Sequence, residues 1–256
     1  MGRTDAELGP EARRRFDRNI RLAAVGEAGQ RRLLAARAAV VGAGGLGSAA
    51  ILYLAAAGVG HLRIIDAERV ELSNFNRQIL HGDADLGRPK VESARETVLA
   101  RAPACHVETV PERLTPENAP RLIRGGDVVL DCTDNFPTRF LVADACWRAR
   151  VPLVSASVLR FEGQLLTVIP AERSPCYRCL LPAPPPPGES PTAADVGILG
   201  AVAGALGALQ AVEAVKVLLG IGEDFSHRLL VYDGLKGTFR TVRRTRDPAC
   251  PLCGGS

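Results

Sequence analysis

Aromatic residues make up only 4% of this 256-residue chain, with one tryptophan and one methionine, and no basic run is interleaved with aromatic side chains. A stacking surface for nucleic acid is therefore not expected. Charge of one sign is not in excess: 32 Lys and Arg stand against 28 Asp and Glu, giving +4, and the arginines are scattered. Long hydrophobic runs are missing too. The longest low-charge stretch, residues 196–209, falls short of the ~20 residues a bilayer requires, and Gln210, Glu213 and Lys216 interrupt the segment after it. It reads as a buried helix. Residues 1–11 are polar and mixed in charge, without the apolar core of a signal peptide, so a cytoplasmic location is expected. Seven cysteines, an odd number, argue against a disulfide framework. The four histidines, His61, His81, His106 and His227, have no catalytic setting in the sequence.

The chain does carry an alternation of short apolar runs with helical segments. Residues 11–34 carry helical periodicity through Phe16, Ile20, Leu22 and Val25, broken near Gly26 and Gly29. This segment reads as a separate N-terminal helical arm, residues 1–34. A strand over 38–41, a glycine turn, a helix over 48–57 ending at Gly58 and a strand over 62–65 form a βαβ unit. Helices are expected over 90–101, 116–124 and 139–150, with strands over 107–110, 127–131 and 153–155 between them. That is the pattern of a Rossmann-like doubly wound α/β sheet. The strands after it, over 159–168, 228–233 and 237–243, are joined by turns, so the first half of the sheet should be parallel and the second antiparallel. Between them the proline run from Pro182 to Pro191 can neither donate ladder hydrogen bonds nor continue a helix, and residues 181–196 read as an extended crossing loop before a long helix over 197–219.

Residues 40–90 hold the strongest site signal. Gly42-Ala43-Gly44-Gly45-Leu46-Gly47 has the spacing that brings a backbone close to phosphate at a helix N-terminus. Asp66, 24 residues past Gly42, stands where a carboxylate meets ribose hydroxyls. That much fits any nucleotide, including a redox dinucleotide. Ser73-Asn74-Phe75-Asn76-Arg77-Gln78 and Gly87-Arg88-Pro89-Lys90 add amide and cationic donors suited to a triphosphate undergoing cleavage. Phe75 and Ile79 are expected to anchor the first of these loops. Asp131-Cys132-Thr133-Asp134-Asn135 ends a buried strand, where open α/β sheets place ligands. One of its two carboxylates is expected to cap the next helix or shape the turn, and Asp134 is preferred as the Mg²⁺ ligand.

Cys176-Tyr177-Arg178-Cys179 and Cys250-Pro251-Leu252-Cys253 form two Cys-x-x-Cys knuckles suited to a closed, structural tetrahedral zinc that clips the C-terminal tail to the middle of the chain. The redox alternative lacks a thioredoxin-like setting. Cys105, Cys132 and Cys146 read as small buried residues.

Taken in order, these motifs resemble the E1-like family of MoeB, ThiF and HesA proteins over residues 16–253, most closely the MoeB-like enzymes that activate sulfur carriers. The resemblance implies ATP-dependent adenylation of the C-terminal Gly-Gly carboxylate of a ubiquitin-like sulfur-carrier protein, with Mg²⁺ in the reaction. It places residues 35–256 in one adenylation domain. It implies that Gly45, Asp66, Ser73, Asn74, Arg77, Lys90, Asp134 and Asn135 surround ATP, with Asp66 at the ribose, Arg77 and Lys90 at the phosphates and Asp134 at magnesium. Arg18 matches an arm arginine that reaches the partner subunit's ATP, which implies a homodimer with composite sites. A separate sulfur donor of desulfurase or rhodanese type is expected, since no rhodanese-type domain follows the second knuckle. The closing Cys253-Gly254-Gly255-Ser256 resembles a carrier tail only superficially. Relatives commonly carry a cysteine shortly before the Gly-Val/Ile-Leu-Gly of the crossing loop; here Ala193 occupies that place. The alternatives are an NAD-dependent oxidoreductase, a carrier-binding scaffold without chemistry, and an enzyme that activates a tRNA-attached carboxylate. Retention of Arg77, Lys90 and Asp134 weighs against the scaffold.

Overall fold

A computed structural model describes residues 8–171, 174–186 and 188–254 of the chain. Three short helices come first: α1 (Pro10–Arg15), α2 (Asp17–Ile20) and α3 (Gly26–Ala35). The alternating unit follows as β1 (Arg37–Val41), α4 (Gly45–Ala57), β2 (His61–Ile65), α5 (Lys90–Arg101), β3 (His106–Val110), α6 (Ala119–Ile123), β4 (Val128–Asp131), α7 (Phe136–Ala149) and β5 (Leu153–Leu159). The remainder is β6 (Glu162–Val168), α8 (Ala193–Val196), α9 (Gly200–Leu219), β7 (Arg228–Asp233) and β8 (Thr238–Arg243).

All eight strands join one sheet in the order β3-β2-β1-β4-β5-β6-β7-β8. The five strands from β3 to β5 are parallel and the pairs from β5 to β8 antiparallel. Turns join β5 to β6 and β7 to β8 as expected, but β6 and β7 are joined through α8 and α9, so a turn does not account for that pair. The sheet is covered on both faces, which is why its central strands are apolar at nearly every position. Ala38 and Val40 of β1 point into one core with Leu46, Ile51 and Leu54 of α4 and Leu206 of α9. Ala39 and Val41 point into the other, with Leu122 and Ile123 of α6 and Phe140 of α7. In register, Val41 lies beside both Ile65 and Asp131, so the turns leaving β1, β2 and β4 open at one edge of the sheet.

Several local expectations are corrected. The break near Gly26 is present, since Gly26 at φ 57° opens α3 directly after a turn, but Gly29 lies inside α3, facing Leu219, and interrupts nothing. The interruptions fall at Phe16 and at residues 21–25. The helix expected over 116–124 shortens to α6, because Thr115 and Asn118 use their side chains to close a turn before it. α7 starts three residues before the expected Arg139, and β5 runs on to Leu159. Of the low-charge stretch only residues 200–209 are helical with α9, a helix of 20 residues that by length and apolarity alone could cross a membrane. Its packing shows a core helix instead. Buried Gln210 donates to the carbonyls of Asp131 and Val154, and Glu213 accepts from the Phe225 backbone and Thr167.

Candidate active site

Lys90, Arg77, Asp134, Asp66 and the glycine turn line a single cleft of about 620 Å³ at the edge where β1, β2 and β4 end. The turn itself is built by close approach. Gly42 has φ 98°, and a Cβ there would sit 2.8 Å from the Cys132 carbonyl oxygen. At Gly47 a Cβ would meet the Gly42 carbonyl oxygen at 2.0 Å, so only glycine lets α4 start so close to β1. Gly47 therefore shapes the turn without lining the cleft, whereas Gly42, Gly44 and Gly45 face it. No side chain caps α4, which leaves its first N–H groups available to an anion.

Asp66 follows β2. Its Oδ2 accepts the Ala43 N–H at 2.8 Å and its Oδ1 the Glu68 N–H at 2.8 Å, so one carboxylate ties the glycine turn to the loop beyond β2. Burial pushes its acid range upward, although these N–H donors and Lys90 oppose the shift. Each oxygen retains a lone pair for a ribose hydroxyl.

The loop with Ser73, Asn74 and Arg77 is held differently from expectation. Ile79 points to solvent at 65% exposure and Phe75 is only half-buried; the anchors are Asn74, Gln78 and Leu80. Asn74 Oδ1 accepts the Glu71 N–H at 3.0 Å. Arg77 donates to the Ser73 carbonyl and to Asn76, which aims it across the cleft mouth. His81 then fixes the loop to the turn: its Nε2 lies 3.0 Å from the Ala43 carbonyl oxygen and its Nδ1 2.8 Å from Ser93 Oγ. A carbonyl only accepts, so the proton is on Nε2, and burial keeps the ring neutral by lowering its acid range.

Lys90 opens α5 and is almost fully buried, with its Nζ 2.6 Å from Glu68 Oε2. Asp131 is the structural carboxylate of the β4 turn. It accepts from Thr133 at 2.6 Å and from Ser155 Oγ at 2.7 Å. Neither Asp131 nor Asp134 caps α7; Asn135 does, through its Oδ1 and the Thr138 N–H at 3.0 Å. Asp134 is exposed in the cleft, and its carboxylate is of a type that could hold a divalent cation.

The far wall comes from α9 and the segment entering it. Ile198 and Ala203 line the cleft, and Gly200 packs against the Asn76 carbonyl and Arg77. The segment entering α9 is latched to the β5–β6 turn, where Arg160 N–H donates to the Gly197 carbonyl and Leu199 N–H to the Arg160 carbonyl, both at 3.0 Å. Residue 193 begins α8, but its side chain lies outside the described residues, as do Gly255 and Ser256. Arg18 is not in this chain's own cleft; its side chain is 88% exposed beside Asp17.

Cys176, Cys179, Cys250 and Cys253 converge, their sulfurs all within 4.8 Å of one another. Neighbouring Sγ pairs lie 3.3, 3.4 and 3.8 Å apart. A tetrahedron of Zn–S bonds of about 2.3 Å sets sulfurs about 3.8 Å apart, so the four thiols fit zinc. Arg244, buried, donates to the carbonyls of Cys176, Thr167 and Ser226 and welds this knuckle to the sheet. Cys105, Cys132 and Cys146 are buried, as expected, and burial pushes each thiol up.

The sequence reading missed Glu68, Arg113 and Thr138, which line the cleft together with Gln78. Gln78 closes a motif already singled out, and its buried Oε1 has no partner. For Glu68 the chain offers no local signal, because its partner is 22 residues away.

The chain matches the ThiF family over residues 16–252. It is 48% identical over 240 residues to the SAMP-activating enzyme E1 of Haloferax volcanii, covering 94% of this chain and 88% of that protein. It is 46% identical over 244 residues to the sulfur carrier protein adenylyltransferase of Thermus thermophilus, covering 94% and 90%. Against the Bos taurus adenylyltransferase and sulfurtransferase MOCS3 it is 52% identical over 252 residues, covering 97% of this chain but only 55% of that protein. Among solved structures, E. coli MccB with MccA-N7isoASN superposes with a TM-score of 0.82 at 21% identity, covering 94% of this chain and 75% of that one, a likeness of fold.

Proposed function

The chain belongs to the ThiF family, and on that premise we propose that it is an adenylyltransferase that activates the C-terminal Gly-Gly carboxylate of a ubiquitin-like sulfur-carrier protein with ATP. The observation that carries this reading is the meeting of Arg77, Lys90 and Asp134 with the glycine turn and Asp66 in one cleft. A redox dinucleotide, which keeps its pyrophosphate intact, has no use for this pair of cations, one of them buried.

The reaction forms a bond from a carrier carboxylate oxygen to the α-phosphorus while the bond to the oxygen bridging the β-phosphorus breaks, and pyrophosphate leaves with that electron pair. Negative charge grows on the leaving group. Lys90 and Arg77 offset it, and Lys90 does so from a dry site where its charge is least screened. Asp66 holds the ribose, and the N-terminus of α4 with Gly44 and Gly45 receives phosphate oxygens. Magnesium, held by Asp134, supplies further neutralisation of the phosphates when bound.

Sulfur then comes from a separate donor of desulfurase or rhodanese type. In support, all seven cysteines are accounted for without a thiol poised at the cleft: Cys132 reaches it but is buried, and its Sγ is turned to Gln210. Adenylation itself needs no thiol, so Ala193 does not impair it. The enzyme acts as a homodimer in the cytoplasm, where unpaired thiols and a zinc thiolate site persist.

ATP–pyrophosphate exchange with magnesium, measured with and without a small β-grasp protein ending in Gly-Gly, tests the reading. Exchange that requires the carrier is expected. Absence of exchange with every carrier, in protein that binds ATP and retains zinc, overturns it.

A further inference from the structure

Lys90 enters the cleft already paired. Its ammonium is 2.6 Å from Glu68 Oε2, and the two side chains differ sharply in exposure, 4% for Lys90 and 67% for Glu68. The backbone around this pair is locked. Glu68 N–H donates to Asp66 Oδ1 and Lys90 N–H to the Glu68 carbonyl. Beyond them Val70 N–H donates to the Arg88 carbonyl and Gly87 N–H to the Val70 carbonyl. The ribose carboxylate, Glu68 and the phosphate cation thus form one stitched unit in which only the Glu68 side chain is free to leave.

From this asymmetry we infer that Glu68 is the internal counter-ion of the phosphate site: it holds Lys90 in place in the empty cleft and is displaced from it by the triphosphate. The inference rests on the adenylation reading above and names a residue that governs nucleotide affinity within it. A buried ammonium without a partner is costly, so some anion must face Lys90 at every stage. Before nucleotide arrives Glu68 supplies the contact, with Asp66, held by the Ala43 and Glu68 N–H groups, as a second and fixed carboxylate near Lys90. Its carboxylate is rooted in solvent, so swinging out restores hydration that Lys90 has no means to recover, and the exchange runs in one direction when a polyanion approaches. The same carboxylate stands ready to recapture Lys90 as pyrophosphate departs. Glu68 is therefore a positioning residue that weakens ground-state binding of ATP and speeds release of pyrophosphate.

Direct titration of the full chain with Mg-ATP and with AMP, for wild type and Glu68→Gln, tests this. The amide oxygen of the variant still accepts from the Lys90 ammonium, so the fold is retained while the competing charge is gone. ATP is expected to bind about three- to tenfold more tightly and AMP, which lacks the β- and γ-phosphates, within about twofold of wild type. In the exchange assay the KM for ATP should fall without a matching gain in kcat. Glu68→Asp, one methylene too short for the pair, should tighten ATP in the same direction by less, and it carries the test should the glutamine variant unfold. Unchanged or weaker ATP binding in the variants, or equal tightening of AMP, overturns the counter-ion role while leaving adenylation intact. Wild-type protein that binds no ATP overturns the nucleotide reading and this role with it.

Discussion

His81 Nε2 lies 3.0 Å from the carbonyl oxygen of Ala43, so the loop that carries Arg77 and the glycine turn before α4 are joined by one neutral imidazole. Because burial lowers its acid range below the ordinary 6.5, the unfolded chain takes up a proton that the folded chain resists. Below about pH 6.5 the unfolded state therefore binds more protons, and stability falls as pH falls. Thermal unfolding from pH 7.5 to 5.5 should show this loss. His81→Gln keeps a donor for Ala43 and does not titrate, so the loss should shrink relative to wild type; an equal loss in both proteins places the titrating group elsewhere.

The change from parallel to antiparallel pairing was legible from the helical crossovers of the first half and the β5–β6 and β7–β8 turns, whereas the strand order and the pairing of β6 with β7 across α9 were not. Glycine-turn spacing, Asp66 and the cations were legible because each is a local motif. Contacts made over long sequence distances were not. Nothing near Glu68 announces Lys90, and nothing in residues 73–80 shows that Ile79 turns outward while Asn74 and Gln78 turn in. The turn role expected of one of the two carboxylates falls to Asp131, and the cap of α7 falls to Asn135. Asp131, Asp134 and Asn135 are all competent caps by type, and only the buried bonds of Asp131 to Thr133 and Ser155 remove it from contention.

α4 and α9 pack through small residues, and Gly207 is the tightest point: a Cβ there would sit 2.2 Å from the Leu46 carbonyl oxygen. Backbone is on the receiving side, so no rotamer change relieves the clash. Gly207→Ala should cost about 3 kcal/mol of stability, at the upper end for overpacking. Because Leu46 belongs to the first turn of α4, ATP affinity should fall as well. A chemical denaturation midpoint within error of wild type would contradict the packing described.

Removal of the zinc ligands should act on stability and not on the phosphate site. Cys176→Ser takes one thiolate from a cluster that Arg244 ties to β6 through the Thr167 carbonyl. Metal analysis should fall from one zinc per chain to near none, and the unfolding temperature by more than about 5 °C. The KM for ATP in the protein that remains folded should stay within about twofold. Full zinc content in the variant would show that the four sulfurs are not the ligands.

Arg18 offers the sharpest test of composite sites. Its side chain is 88% exposed on α2 and stands outside its own cleft, whereas Lys90 is buried inside. If each arm serves the partner's nucleotide, Arg18→Ala and Lys90→Ala homodimers should each lose about 10²-fold or more of exchange activity. Mixing the two variants under conditions that permit subunit exchange then produces heterodimers in which one site carries both lesions and the other carries neither. Up to about half of the heterodimer sites, and so about a quarter of all sites at random pairing, should regain full activity. That recovery has no source if Arg18 acts within its own chain, because every site would then keep one lesion. Activity that stays at the level of the separate variants after verified subunit exchange would return Arg18 to the surface of a single subunit.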